Sequence, residues 1–229
     1  MDNEIPELPK SRKITTYILL GLLILFGIFF IKEYSRIESY LVRHYGPPRI
    51  AENIKVTFPE GSTNIEMAQL LGIALPNFNT RIFLDISKND QGYLFPDTYL
   101  FYKNENPESV AKRLKDNFLK KTPSSDPKII IMASILEKEA TKSDMKLISG
   151  ILWKRLEKGM PLQVDADMNT YKEVGLPKLP IANPGLTSID AALNPISSPY
   201  WYYIHDKSGT AHFAKTFDEH RINIKKYLK

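Results

Sequence analysis

The feature that most restricts the fold of this chain is an uncharged apolar stretch near its N-terminus. From Ile14 to Ile31 no residue is charged, and the stretch is bounded by Lys13 and Lys32. As an α-helix, it would span about 27 Å, close to the ~30 Å hydrocarbon core of a bilayer. A cleavable signal peptide would have a shorter apolar core and a small-residue cleavage site, and the sequence KEYSRIESY that follows offers no such site. The stretch therefore predicts a single-pass transmembrane helix at 14–31.

The charges around this span leave its orientation open. The flanking basic residues are Lys10, Arg12 and Lys13 before the span and Lys32, Arg36, Arg43 and Arg49 after it. The positive-inside rule compares these two groups, and they are nearly balanced. The count does not decide on which side of the membrane the large C-terminal part lies.

The overall charge restricts the class of partner. The chain has a formal net charge of +5 and a pI of about 9.1, which suits an anionic partner such as nucleic acid, lipid headgroups or an acidic cell-wall polymer. The lysines are scattered and no dense basic tract stands out, which disfavours nucleic acid. The chain has no cysteine, so disulfides and cysteine-based metal sites are excluded.

Beyond the span, the residue patterns predict an α+β fold. The first helix is expected to continue to about residue 50 and to break at Pro47-Pro48. A short strand and a helix follow between Ile54 and Gly72, and the segment 159–199 is mainly loop with one short helix in SIDAAL. The stretches YWYYIHD and TAHFAKT flank KSG, a turn sequence that predicts a β-hairpin. A last helix is expected from Thr216.

One apolar segment, predicted to form a helix, ends in two glutamates. The segment 126–142 reads DPKIIIMASILEKEATK, with Asp126 and Pro127 as typical helix-starting residues. At about 100° per residue, Glu137 lies on the same side as the apolar residues before it, whereas Glu139 is about 200° further round. We therefore expect Glu137 at the lip of an apolar core, where burial favours the protonated form that a general acid requires. Glu139 is expected to pair with Lys142 in solvent. The alternative is that both glutamates are exposed at a frayed helix end.

Several segments, taken in order, resemble one family. ASILEKEA resembles the signature helix of the MltG (YceG-like) endolytic murein transglycosylases, and VTFPEGSTNIEMAQLL resembles the LysM-like subdomain of that family. GYLFPDTY, ISGILWKRLEKGMPLQVDAD, LPIANPGLTSIDAALNP and HFAKTFDEH match further family elements. The resemblance covers roughly residues 54–228.

The resemblance implies a complete domain plan. The fold would be α+β, with a single N-terminal transmembrane helix, a small LysM-like unit and a YceG-like mixed α/β catalytic domain. The expected boundaries are 1–13 cytoplasmic, 14–31 transmembrane, 32–50 juxtamembrane linker, 51–88 LysM-like and 89–229 catalytic. The protein would sit in the cell (inner) membrane with its catalytic domain on the extracytoplasmic side, with peptidoglycan glycan strands and wall-synthesis enzymes as partners, and no nucleic acid.

The implied activity is endolytic cleavage of nascent glycan strands between N-acetylmuramic acid and N-acetylglucosamine, which leaves a 1,6-anhydro end. The resemblance places the catalytic acid on the first glutamate of the motif, Glu137. A glycoside hydrolase usually needs two carboxylates. In a lytic transglycosylase the C6 hydroxyl of the sugar replaces water, so one glutamate can act as acid and then as base. No metal and no cofactor is called for.

Weaker candidates surround this acid. The resemblance suggests Gln163 and Asp165 as ligands of sugar hydroxyls or as residues that orient Glu137, and Asn169 and Tyr171 as a polar group and a stacking ring. Asn183 would turn an amide toward the cleft. His212 and His220 complete the polar set. For each residue the alternative is structural: a turn cap for Asp165 and Asn183, a core ring for Tyr171, and a satisfied structural histidine for His212.

The sequence also departs from the family pattern. Gln91 stands where the family usually has glutamate, and the stretch that normally separates LQVDAD from NTY is nearly absent. These departures leave two alternatives open. One is a silent, membrane-tethered glycan-binding or scaffold protein. The other is a muramidase that hydrolyses the strand with Asp165 as the second carboxylate.

Overall fold

The computed structural model describes residues 10–45 and 53–228, with side chains described at 19–40 and 53–228. The chain divides into two compact units, Met1–Ala51 and Glu52–Lys229. In the first unit, helix α1 runs continuously over Lys10–Tyr45, and it ends shortly before the sequence Pro47-Pro48.

The predicted transmembrane span lies within α1. Residues 14–18 of that span are outside the described side chains. In the part that is described, no helix combines the length and the hydropathy needed to cross a bilayer.

The second unit contains the remaining elements. In chain order they are β1 (Asn53–Thr57), α2 (Asn64–Ala74), α3 (Thr80–Ser87), β2 (Thr98–Tyr102), α4 (Pro107–Lys121), α5 (Pro127–Glu139), α6 (Met145–Glu157), a 3₁₀ turn (Met168–Tyr171), α7 (Leu186–Leu193), β3 (Tyr202–His205), β4 (Ala211–Ala214) and α8 (Phe217–Tyr227).

One hydrophobic core joins β1 and β2 to helices α2, α3 and α4. The two strands are antiparallel, with Thr57 opposite Thr98. Helix α2 starts at a capping box, in which the Thr63 side chain accepts from the Glu66 backbone N–H and the Glu66 carboxylate accepts from the Thr63 backbone N–H. Because β2 lies beyond residue 88, the segments predicted as LysM-like and catalytic share a sheet and a core.

A second core is centred on α5. The side chain of Asp126 accepts a hydrogen bond from the Lys128 N–H, and Pro127 occupies the first turn, as predicted. Every residue from Ile130 to Leu136 is buried, which is typical of a helix enclosed by neighbours on all sides. Helix α7 packs along α5, and the last turn of α5 delivers Glu137 and Glu139 to the edge of this core.

The C-terminal part is the predicted hairpin followed by a helix. Strands β3 and β4 are antiparallel, with His205 opposite Ala211, and the carboxylate of Asp206 accepts hydrogen bonds from the backbone N–H groups of Ser208 and Thr210 in the turn. Helix α8 packs against both strands. The hairpin prediction and the short helix in SIDAAL are confirmed.

Candidate active site

A cleft of about 510 Å³ lies between the end of α5, the loop after α6, the β3–β4 hairpin and α8. Its lining residues are Glu139, Arg155, Gln163, Asp165, Tyr171, Tyr202, Tyr203, Ile204, His205, Phe217, His220, Ile224 and Leu228. The cleft thus combines carboxylates, a guanidinium group, imidazoles and aromatic rings. Such a concave surface with convergent polar groups is typical of a ligand site.

Of the two glutamates at the end of α5, Glu139, the last residue of the helix, lines this cleft. Its Oε1 accepts a hydrogen bond of 2.5 Å from the backbone N–H of Ala166. Burial raises the pKa of Glu139 above its ordinary value, and the nearby Asp165 charge adds to the increase, against the opposing hydrogen bond from Ala166. The prediction that Glu139 pairs with Lys142 in solvent is wrong, because Lys142 lies 3.9 Å from the carboxylate of Glu60 instead.

Glu137, the predicted acid, makes different contacts. Its Oε2 accepts hydrogen bonds from the backbone N–H of Gly185, at 2.9 Å, and from Ser188 Oγ, at 2.5 Å. Gly185 is the N-cap of α7 and supplies no side-chain cap of its own. The Glu137 carboxylate therefore caps α7 from a neighbouring helix, where a negative charge is favourable. It is not among the residues that line the cleft.

Arg155 organises the floor of the cleft. Its side chain is 4% exposed, with Nη1 donating to the Leu162 carbonyl at 2.6 Å and Nη2 donating to Gln163 Oε1 at 2.9 Å. Gln163 has a positive φ of 55°, a left-handed conformation that is uncommon outside glycine. The two hydrogen bonds from Arg155 fix this turn and so hold the amide of Gln163 at the cleft wall.

Asp165 and Tyr171 form a hydrogen-bonded pair at the mouth of the cleft. The Tyr171 hydroxyl donates to Asp165 Oδ1 at 2.6 Å. This bond is the largest of several causes that raise the pKa of Tyr171 to about 12. The structure thus brings Gln163, Asp165 and Tyr171 together with Glu139.

The structure places three other predicted residues outside the cleft. Asn183 is fully buried, so its amide does not face the cleft as predicted. His212 Nε2 lies 2.8 Å from Asp206 Oδ2, its ring stacks on Tyr227 at 3.5 Å, and it does not line this cleft. Asn169 lies exposed in the 3₁₀ turn and does not line the cleft.

Sequence reasoning missed several lining residues. Arg155 lies on α6 among apolar side chains, where a buried arginine is unusual. Tyr203 is half-buried, and desolvation of its hydroxyl raises the pKa of that group. His205 Nε2 lies 3.2 Å from Asp144 Oδ2. The aromatic run YWYYIH predicts a strand, and four consecutive residues of it, Tyr202 to His205, line the cleft.

The chain matches a known protein family. The model of the YceG-like family matches residues 27–168 and 167–226. The chain belongs to the YceG-like family. Among solved structures, a crystal structure of a YceG-like protein from Listeria monocytogenes superposes with a TM-score of 0.66 and 27% identity, over 80% of each chain. The mixed α/β fold described above is therefore the YceG-like fold.

Two curated relatives of this YceG-like chain share a name. The endolytic murein transglycosylase of Bacillus subtilis is 34% identical over 174 residues, which cover 60% of this chain and 48% of the relative. The endolytic murein transglycosylase of Streptococcus pneumoniae serotype 2 is 27% identical over 177 residues, covering 60% of this chain and 32% of the relative. The matched region thus spans less than half of each relative.

Proposed function

We propose that this YceG-like protein is an endolytic murein transglycosylase. It would cleave the bond between N-acetylmuramic acid and N-acetylglucosamine in nascent glycan strands and leave 1,6-anhydro ends. The observation that carries the proposal is the placement of Glu139, a carboxyl with a raised pKa, in a polar cleft. The names of the B. subtilis and S. pneumoniae relatives support it.

Glu139 is the proposed general acid. A raised pKa favours the protonated form of Glu139, and protonation of the leaving glycosidic oxygen requires that form. The acetamido group of the substrate stabilises the cation that develops at the anomeric carbon. The C6 hydroxyl then attacks that carbon, and the Glu139 carboxylate accepts the hydroxyl proton. Glu139 loses its proton in the first step and regains it in the second, so the reaction requires neither water nor a second carboxylate.

The neighbouring residues support this chemistry. The Ala166 N–H donates to one oxygen of Glu139 and so fixes the position of the carboxyl group at the cleft. Gln163 presents an amide fixed by Arg155, a group suited to sugar hydroxyls. Tyr171 and Asp165, bonded to each other, offer further polar atoms at the mouth.

Hydrolysis is the second candidate, and one observation favours it. Asp165 lines the same cleft as Glu139, so a second carboxylate is present that could activate water. The hydrogen bond from Tyr171 already occupies one of its oxygens, which favours the transglycosylase. A silent glycan-binding scaffold is the third candidate, and the intact polar lining of the cleft argues against it.

Product analysis tests the proposed function. The full chain, purified in a mild detergent, is incubated with uncrosslinked nascent peptidoglycan, and the products are followed by mass spectrometry. We expect fragments with anhydro ends, one water lighter than the corresponding reducing ends. Reducing ends would assign a hydrolase. Binding of glycan without cleavage would assign a scaffold.

The pH dependence of the reaction gives a second prediction. The acid must be protonated, so kcat/KM should fall as pH rises through the pKa of Glu139, and this midpoint should lie above the ordinary value for a glutamate. Because the Asp165 charge contributes to the increase, Asp165→Asn should move the midpoint to lower pH. The measurement is the pH profile of kcat/KM for the wild type and this variant.

Glu137→Gln is the control for that profile. It should leave the midpoint where it is in the wild type, since Glu137 does not line the cleft. A midpoint that disappears in Glu137→Gln and persists when Asp165 is changed would instead return the acid role to Glu137.

We also propose the membrane and domain assignments. The uncharged stretch 14–31 supports a single-pass anchor in the cell membrane, with the unit Glu52–Lys229 on the extracytoplasmic side, where peptidoglycan and wall-synthesis enzymes are found. The strand and helices from residue 51 to 88 would form a LysM-like unit. The sequence VTFPEGSTNIEMAQLL supports this assignment.

A further inference from the structure

The wall of the cleft formed by α8 and the start of β3 takes no part in the acid–base chemistry proposed above. Tyr202 comes from β3, and Phe217, His220, Ile224 and Leu228 come from α8 or directly follow it. None of these side chains is a carboxylate or a permanent cation. This wall is here called the α8 wall.

Phe217 is the most exposed ring of the α8 wall. Its side chain is 58% exposed, although it carries no polar atom and lies in a concave site. Its ring packs against that of Tyr202, with the ring centres 5.8 Å apart and the planes tilted by 57°. Exposed apolar surface inside a cleft often marks a binding site, and the position of Phe217 is fixed by the ring behind it.

The rings behind Phe217 form a rigid stack. Tyr202 stacks on His220 with ring centres 5.1 Å apart and an angle of 23°. The guanidinium carbon of Arg155 also lies 5.3 Å from the centre of the Tyr202 ring, within the range of a cation–π contact. Arg155 is itself tied to Leu162 and Gln163. The α8 wall is therefore connected through Arg155 to the polar part of the cleft.

The charge of the α8 wall restricts what it can bind. Burial, followed by the nearby Arg155 charge, lowers the pKa of His220. Both effects favour the neutral imidazole. An uncharged wall of ring faces offers no partner for the carboxylates of a stem peptide. It suits the apolar C–H face of a pyranose ring, whose equatorial hydroxyls would reach polar groups at the rim.

We propose that Phe217, Tyr202 and His220 form a sugar subsite, on which one N-acetylhexosamine ring of the glycan strand stacks. The identity of the ligand as glycan rests on the proposed function. The α8 wall lies in the same cleft as Glu139, so a strand bound there continues into the acid site. The C-terminal helix thereby determines which ring of the strand is presented for cleavage.

The test is a binding measurement with a matched control. Glycan strands freed of stem peptides are titrated into the full chain carrying Glu139→Gln, so that binding is separated from cleavage. We expect adding Phe217→Ala to raise Kd about tenfold or more, as truncation of an aromatic anchor does. Phe217→Trp should restore binding. Leu119→Ala, at a side chain 67% exposed on α4 and outside the cleft, should leave Kd unchanged.

Phe217→Ala is not expected to unfold the protein, because the side chain is exposed and the cap of α8, Thr216, is untouched. In an otherwise wild-type chain, Phe217→Ala should give the same product ends with a raised KM. A Kd within twofold of the parent, or an equal loss in Leu119→Ala, overturns the subsite. If the wild type yields no anhydro ends while Phe217→Ala still weakens binding, the proposed function fails and the subsite stands.

Discussion

Replacing Glu139 with glutamine should reduce the rate of strand cleavage by about 10²–10⁴-fold, the usual contribution of a positioned general acid. The substitution is nearly isosteric, and the amide oxygen can still accept the hydrogen bond that Glu139 Oε1 receives from the Ala166 N–H. It removes the transferable proton and changes little else. Binding of the glycan should therefore persist. Anhydro ends counted by mass spectrometry, together with the glycan Kd, measure both quantities.

Glu137→Gln is the matched control, two residues away on the same helix. A glutamine oxygen can still accept from Gly185 N–H and Ser188 Oγ, the two donors that Glu137 meets. Only the negative charge at the start of α7 is lost, which should lower the free energy of unfolding by about 0.3–1 kcal/mol. Cleavage should stay within a few-fold of wild type. The reverse pattern, with Glu137→Gln inactive and Glu139→Gln active, would uphold the assignment that the sequence motif suggested.

The two glutamates show what a sequence can and cannot predict. The cap at Asp126, Pro127 and the apolar run after them predict α5, because these signals act within one helix turn. The same periodicity separates Glu137 from Glu139 by about 200°. It does not tell which of the two faces the cleft. That depends on the hairpin and α8, which join the chain about 65 residues later and enclose Glu139.

The loop and hairpin residues also show that local signals are readable from the sequence and tertiary contacts are not. Gln163 and Asp165 belong to a short motif whose turn is fixed locally by Arg155, and they lie in the cleft as a group. His212 lies on the hairpin, but its ring contacts Asp206 and Tyr227 and does not line the cleft. The sequence shows that a polar side chain is present, and only the tertiary contacts show which partner it satisfies.

Asn183 is the clearest case, because its amide joins three segments that are distant in sequence. Oδ1 accepts hydrogen bonds from the backbone N–H groups of Gly92, at 2.7 Å, and Leu94, at 3.0 Å. Nδ2 donates to the Ser62 carbonyl at 2.9 Å and to Asn64 Oδ1 at 3.0 Å. All four bonds are buried, and together they tie the loop before α7 to the turn before α2 and to the GYLFPDTY segment.

Asn183→Ala should therefore destabilise the protein strongly. The alanine leaves two buried N–H donors without a partner, and each such group costs about 1–3 kcal/mol. We expect the free energy of unfolding to fall by roughly 3 kcal/mol, measured from denaturant curves of the full chain. Asn169→Ala, at an exposed amide, should change it by less than about 0.5 kcal/mol. An Asn183→Ala chain as stable as wild type but unable to bind glycan would contradict the structural role, because a side chain that only holds the fold together affects binding only through stability.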